Sequence, residues 1–286
     1  MKAADFQRLL REEGLYETPG RRLQPPAWLA TALFHTRMAG IFVRGHFDAR
    51  WHADFENTHF GDFGLMTLKM VESLGVRARY EGFEKVRGVQ FPVVWVANHM
   101  SPLETYILPM ALMAFSPLTI ILKESLAHYP VFGRVVRSIH TIRLKRENAM
   151  EDLRTTLEQG TKALAEGRSV LVFPEGRRSR TFDPSFFNSI GVKLAQRGKA
   201  PLVPVALRTD ALQIGRKWRD AVSLHPRRPV HFACGEAVSP GDPRAALETL
   251  RGFIVGKLGE WQAEYDAGVP LIAPEGASQG GKGLRV

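Results

Sequence analysis

The sequence predicts an α/β fold: a central, mostly β sheet flanked by helices on both faces, preceded by an N-terminal helical membrane-docking segment. Three observations predict it. From residue 55 onward, short apolar runs alternate with segments whose apolar residues recur at helical spacing. Two polar stretches, "NHMSPLE" (98–104) and "PEGRRSR" (174–180), follow apolar runs directly, as site loops follow strands in such sheets. The first fifty residues read differently, polar and turn-rich through Pro26 and broadly apolar from 27 to 45. The expected organisation is a helical segment over 1–50, an α/β domain over 51–265 and a disordered tail over 266–286, which carries the glycine-rich "GASQGGKG".

Taken in order, "AWLATALFHTRMAGIFVRG" (27–45) is interrupted by His35 and Arg37, so no run reaches the roughly 20 apolar residues that span a bilayer. Such a helix either lies in a membrane interface or packs on the chain's own core. In the interfacial case Trp28, Leu33, Phe34, Ile41 and Phe42 are the side chains expected to enter the lipid. Residues 60–75 read as a helix closed by Gly75, and 89–98 as a strand. Residues 101–115 read as a helix with Ser101 as N-cap and Pro102 in its first turn. Strands follow at 118–123 and 140–146. The amphipathic pattern from Asn148 to Gly167 is a helix, and 169–176 is a buried strand running into a turn. A helix at 185–198, strands at 200–208 and 230–235 and a long helix at 242–265 complete the series.

Composition narrows the function. Hydrophobic residues make up 44% of the 286 and charged residues 24%, which excludes global disorder. Cys234 is the single cysteine, so no intramolecular disulfide forms and a reducing compartment suits the chain. The first apolar stretch starts late and carries charge, unlike a secretory signal. Lys and Arg number 39 against 29 Asp and Glu, for a net charge of +10. That surface favours anionic partners or serves solubility alone. A nucleic-acid partner is not expected, since neither a basic cluster with interleaved aromatics nor a recognition module stands out.

The chemistry concentrates in the two strand-end stretches. In "NHMSPLE", His99 lies in the turn and Glu104 in the first turn of the following helix. One reading is a catalytic base with its orienting acid. The other is local capping, with Glu104 favouring the helix N-terminus. The Gly-x-Ser-x-Gly pattern occurs only at Gly276–Gly280, in the glycine-rich tail and after no apolar strand that would make it a nucleophile elbow, so the attacking hydroxyl belongs to the substrate if the first reading holds. In "FPEGRRSR", three arginines in four positions cannot all point one way. Gly176 permits a tight turn, and at least one guanidinium can face a phosphate. The alternative is a solvated basic turn. The histidines show no metal-ligand spacing.

"NHMSPLE", "KESLAHYPVFGRVVRSIHTIRLKR" (123–146), "FPEGRRSR" and "VPVAL" (203–207), in that order, resemble the four motifs of the glycerolipid acyltransferase family, typified by 1-acylglycerol-3-phosphate acyltransferase. The resemblance spans residues 90–207. It implies that His99 is the base that deprotonates the acceptor hydroxyl and Glu104 its acidic partner. It places Lys123, Arg146, Glu175, Gly176 and Arg178 with the acceptor and its phosphate, and Pro204 with the acyl-donor side. It implies no cofactor and no metal. The donor would be acyl-CoA or acyl carrier protein as substrate, and the acceptor a lysophospholipid, 1-acyl-sn-glycerol 3-phosphate in the first instance. The site would work at an anionic membrane surface, peripherally and on the cytoplasmic side. Departures from the family pattern are Glu104 where Asp is usual, Arg177 at a small position, Lys145 before Arg146, and Phe187-Asn188 where Phe-Lys is usual. Glu104 also suits a lipid A-type acyltransferase, which is not expected to carry "FPEG". Another lyso-lipid acceptor, including an amino-acid lipid, and a non-catalytic basic membrane-binding protein are the alternatives.

Overall fold

The computed structural model describes residues 1–20, 23–215 and 222–267. Its centre is an eight-stranded sheet. The strands are β1 (Tyr16–Glu17), β2 (Ala78–Glu81), β3 (Val94–Ala97), β4 (Leu118–Lys123), β5 (Thr141–Leu144), β6 (Ser169–Val172), β7 (Leu202–Arg208) and β10 (Val230–Cys234), in the order β1-β2-β10-β7-β3-β6-β4-β5. Strands β7, β3, β6, β4 and β5 run parallel. Strand β10 is antiparallel to β7 and β1 to β2. A two-stranded ribbon, β8 (Leu212–Ile214) with β9 (Val222–Leu224), stands apart.

Alternate side chains of each strand enter opposite layers, as the period-2 pleat requires. Trp95 and Ala97 of β3 join one core with Leu171, Val203, Val205 and Leu207, while Val94 and Val96 join the other with Val170, Val172 and Leu202. The first layer is covered by helices α1 (Ala3–Glu12), α2 (Ala27–Trp51), α3 (Phe55–Thr58), α4 (Phe60–Ser73) and α5 (Pro102–Leu112). Helices α7 (Ala149–Ala165), α8 (Ile190–Gly198) and α9 (Pro243–Asp266) cover the second. The short helix α6 (Phe132–Arg137) bridges β4 and β5. The expected α/β sheet with helices on both faces is therefore the observed architecture. The helix expected over 185–198 starts only at Ile190, whose N–H donates to Asn188 Oδ1 at 2.9 Å.

The N-terminal reading needs correction. Residues 1–26 are not merely turn-rich: α1 buries Phe6 and Leu10. Helix α2 puts Phe34 (2% exposed) and Met38 into the core that also holds α4 and α5, with Leu33, Ile41 and Phe42 packed against it. The boundary at residue 50 thus separates no two cores. Four of the five side chains expected to enter lipid face the protein instead, and only Trp28 is exposed, at 73%. The outer face of α2 carries Trp28, Val43, Phe47 and Trp51, with Trp51 69% exposed and stacked on Phe47 at 4.9 Å. No described helix is long and apolar enough to cross a membrane. Of the expected tail, residues 268–286 lie outside the described residues.

Candidate active site

Five parallel strands end at one edge of the sheet, and the chain leaves that edge through the loops of the first three motifs, the fourth lying inside β7. The neighbouring strands β3 and β6 pair Val96 with Val172, so "NHMSPLE" and "FPEGRRSR" emerge side by side. On the other side of β3, Asn98 takes over from the ladder. Its Nδ2 donates to the Leu207 carbonyl at 2.9 Å and its Oδ1 accepts from the Leu207 N–H at 2.8 Å, copying a backbone pair. The turn that follows is therefore fixed from its first residue.

His99 Nδ1 lies 3.0 Å from Glu104 Oε1. The same oxygen accepts from the Met100 N–H at 2.6 Å and the Ser101 N–H at 2.7 Å. Oε2 accepts from Ser101 Oγ at 2.9 Å and from Thr209 Oγ1 at 2.6 Å. Capping and base orientation are thus one structure. Ser101 caps α5, accepting from the Leu103 N–H at 3.1 Å, while Glu104 closes the capping box and holds the imidazole. Burial alone would raise the Glu104 carboxyl, but the hydrogen bond and charge of His99 and the Thr209 hydroxyl hold it below its ordinary value. An ionised Glu104 accepts only, so His99 carries its proton on Nδ1 and its lone pair on Nε2. Among the described residues nothing bonds Nε2, and the His99 side chain is 13% exposed. Ser101, 1% exposed and bonded on all sides, is no nucleophile.

The second loop closes over the first. Phe173 stacks on the His99 ring at 4.4 Å, and Glu175 Oε1 accepts from the His99 N–H at 2.7 Å. Gly176 has φ +65°, and a Cβ there would meet nothing, so the dihedral alone calls for glycine. Arg146, itself at φ +61°, donates through Nη1 to the Gly176 carbonyl. Two of the three arginines of the loop point apart. Arg177 lies over the Phe186 ring at 4.3 Å, and Arg180 donates to the Ile214 carbonyl. Arg178 lies near enough to Arg146 to help lower its pKa, second to burial and against Asp152. Arg146 and Arg178 therefore lie within range of each other's charge at the strand-end edge, and two cations close together favour an anion. Lys123 ends β4 exposed and makes no hydrogen bond or ion pair with these residues. Pro204 sits inside β7 opposite Val96, away from the loops.

Residues 77–208 match the family model described as Acyltransferase. Over 132 residues the chain is 31% identical to the 1-acyl-sn-glycerol-3-phosphate acyltransferase of Pseudomonas aeruginosa, covering 46% of this chain and 49% of that one. Over 151 residues it is 32% identical to the enzyme of the same name from Saccharomyces cerevisiae, covering 51% and 47%. Residues 77–208 thus carry a similarity to the glycerolipid acyltransferases. The chain spans about half the length of these curated relatives. The crystal structure of the 1-acyl-sn-glycerophosphate (LPA) acyltransferase from Thermotoga maritima shares its fold, with a TM-score of 0.54, 21% identity, and 84% of this chain and 96% of that one covered. Two contributors to the site lie outside the four motifs, and a third lies inside one without a role assigned to it. Thr209 lies just beyond the fourth motif, 105 residues from the glutamate it bonds. Asn188 braces the loop by donating to the Pro174 carbonyl at 2.5 Å. Phe173, the apolar residue that opens the third motif, is the floor beneath the His99 ring.

Proposed function

We propose that this protein is an O-acyltransferase that moves a fatty acyl group from acyl-CoA or acyl carrier protein to the hydroxyl of a lysophospholipid, 1-acyl-sn-glycerol 3-phosphate, in phospholipid biosynthesis. The observation that carries this reading is an unbonded His99 Nε2, backed by a buried, ionised Glu104, at the same edge as the Arg146–Arg178 pair. The acceptor's phosphate sits on the two arginines and its hydroxyl meets Nε2. His99 takes the hydroxyl proton as the oxygen attacks the thioester carbonyl. The tetrahedral intermediate collapses, breaking the C–S bond, and the imidazolium returns the proton to the departing thiolate. The N–H groups of His99, Met100 and Ser101 are already held by Glu175 and Glu104, so the turn of the first motif does not supply the oxyanion's donors. Incubating the purified protein with a labelled acyl thioester and a panel of lyso-acceptors tests the reading. Labelled diacyl product from 1-acylglycerol 3-phosphate supports it. Transfer confined to a lipid A precursor or an amino-acid lipid would replace the acceptor, and transfer to none would remove the activity.

The arginines give a sharper test. Arg146→Ala and Arg178→Ala each remove charge-assisted hydrogen bonds worth about 1.5–3 kcal/mol, or about 10–150-fold in acceptor KM. The thioester KM should stay within about twofold of wild type in both variants, while Arg146→Ala, which also frees the Gly176 carbonyl, should lose kcat as well. Equal losses against a phosphate-free acceptor would assign the arginines another role.

A lipid acceptor requires that the site reach a bilayer. We infer that the outer face of α2, with Trp28, Val43, Phe47 and Trp51 beside Arg37, Arg44 and Arg50, docks peripherally on the anionic cytoplasmic leaflet. Each basic residue near such a surface adds about 1 kcal/mol, screened by salt. Binding to phosphatidylglycerol vesicles should fall as salt rises and leave an apolar remnant. Joint substitution Trp28→Ser, Phe47→Ser and Trp51→Ser should abolish that remnant without unfolding the chain, because none of the three is buried. Unchanged vesicle binding would move the contact to another surface.

A further inference from the structure

One loop grips His99 from three directions. Phe173 stacks on its ring, the Ser179 N–H donates to its carbonyl at 2.8 Å, and Glu175 accepts from its backbone N–H at 2.7 Å. The loop has its own braces in Asn188 on Pro174 and Arg146 on Gly176. The motif resemblance groups Glu175 with the residues that hold the acceptor's phosphate. A carboxylate has no donor to offer a phosphate and repels it. Among the described residues its one hydrogen bond goes to the peptide group of the base.

We propose that Glu175 is a positioning residue, which holds the His99 turn in its reacting geometry and makes no contact with the acceptor's phosphate. This rests on the acyltransferase reading above. The groups facing Glu175 are His99 from the first loop, Glu104 from α5, Arg177 and Asp183 from its own loop, and Arg146 across the Gly176 carbonyl. Burial pushes its carboxyl up to about 7; the His99 N–H opposes this, Glu104 and Asp183 add to it and Arg177 opposes it. Only the ionised form makes the stronger, charge-assisted bond, so the hold on His99 weakens as pH falls through about 7. Stability runs the other way. A folded-state value above the ordinary 4.5 means that the stabilising protonated form is lost as pH rises through about 7. Keeping an ionised Glu175 in place therefore costs the fold something above that pH.

The test is steady-state kinetics of the full chain, Glu175→Gln and Glu175→Ala, with 1-acylglycerol 3-phosphate and with monoacylglycerol, from pH 6 to pH 9. Misplacing a reacting group by about 1 Å costs about 10²-fold, so Glu175→Ala should lose about that much kcat for both acceptors. Neither acceptor's KM should move more than about twofold, because the residue touches neither substrate. Glu175→Gln keeps the shape and an accepting oxygen. It should recover to within about tenfold of wild type, lose part of the fall in kcat below pH 7, and melt about 2–4 °C higher than wild type at pH 8. A KM rise confined to the phosphate-bearing acceptor would overturn the proposal, as would wild-type kcat in Glu175→Ala. If Glu175→Ala does not fold, the Gln variant decides through its KM values and pH profile. If the wild type acylates neither acceptor, the activity reading fails separately. Hydrogen exchange at the His99 amide then decides the hold: faster in Glu175→Gln supports it, and unchanged exchange overturns it.

Discussion

His99→Ala is expected to lower kcat/KM by about 10²–10⁴-fold while the protein stays folded, because a positioned general base contributes about that much. The fold should survive for a local reason. The imidazole stands at a strand end over Phe173, partly exposed, and the turn around it is held by backbone contacts that alanine preserves: the N–H on Glu175 and the carbonyl on Ser179. Glu104 keeps four of its five donors. Acyl transfer and thermal unfolding measured on one preparation check this. Transfer within about tenfold of wild type in a folded variant would remove His99 as base. Unfolding of the variant would instead make the ring–ring stack structural.

How far the sequence reaches can be judged element by element. Strands β3, β6 and β7 were legible because each is an apolar run buried on both faces, β4 because its first half is, and α7 because Asn148 opens it and the apolar stripe repeats; Asn148 Oδ1 accepts from the Met150 N–H at 2.9 Å. Helix α1 was missed because its buried stripe rests on few residues, among them Phe6 and Leu10, in a polar run. Strands β1, β2, β8 and β9 are two to four residues long, too short for period-2 counting to register. The buried face of α2 was misassigned for a different reason. Its apolar residues lie all round the helix, so periodicity cannot say which side meets the core.

The site was legible in outline from the strand-end rule, since parallel strands deliver their loops to one edge. What the sequence left undecided was whether Glu104 serves the helix or the histidine, and geometry shows that one carboxylate does both. What it could not reach were partners supplied by tertiary contact. Thr209 carries no motif signal, and the bond from the His99 N–H to Glu175 joins two loops 76 residues apart.

That double duty makes Glu104 the most consequential side chain in the domain, and its variants should separate the two duties. Fully buried, it accepts from Met100, Ser101, Thr209 and His99. Glu104→Ala leaves those donors facing a void. Losing the acceptor of a buried charged network costs about 3–5 kcal/mol, so its melting temperature should fall by about 10 °C or more, together with activity. Glu104→Gln is the discriminating change. Its amide oxygen can still accept from the two backbone N–H groups, while its NH2 meets hydroxyls that rotate to accept, so the cap survives. The negative charge that supports the imidazolium does not, and kcat should fall by about 10²-fold or more in a folded protein. Acidification offers a second readout. Glu104's folded-state value lies below the ordinary 4.5, so its contribution to stability is present above that pH and is lost as pH falls through the lower folded value. The melting-temperature gap between wild type and Glu104→Gln should therefore narrow as pH falls below the ordinary 4.5 and close only beneath the lower folded value. Glu104→Asp, one methylene shorter, must draw away from either the Thr209 hydroxyl or His99 Nδ1, and should be impaired in activity more than in melting temperature. Full activity in Glu104→Gln would reduce Glu104 to a helix cap and leave His99 without an acidic partner.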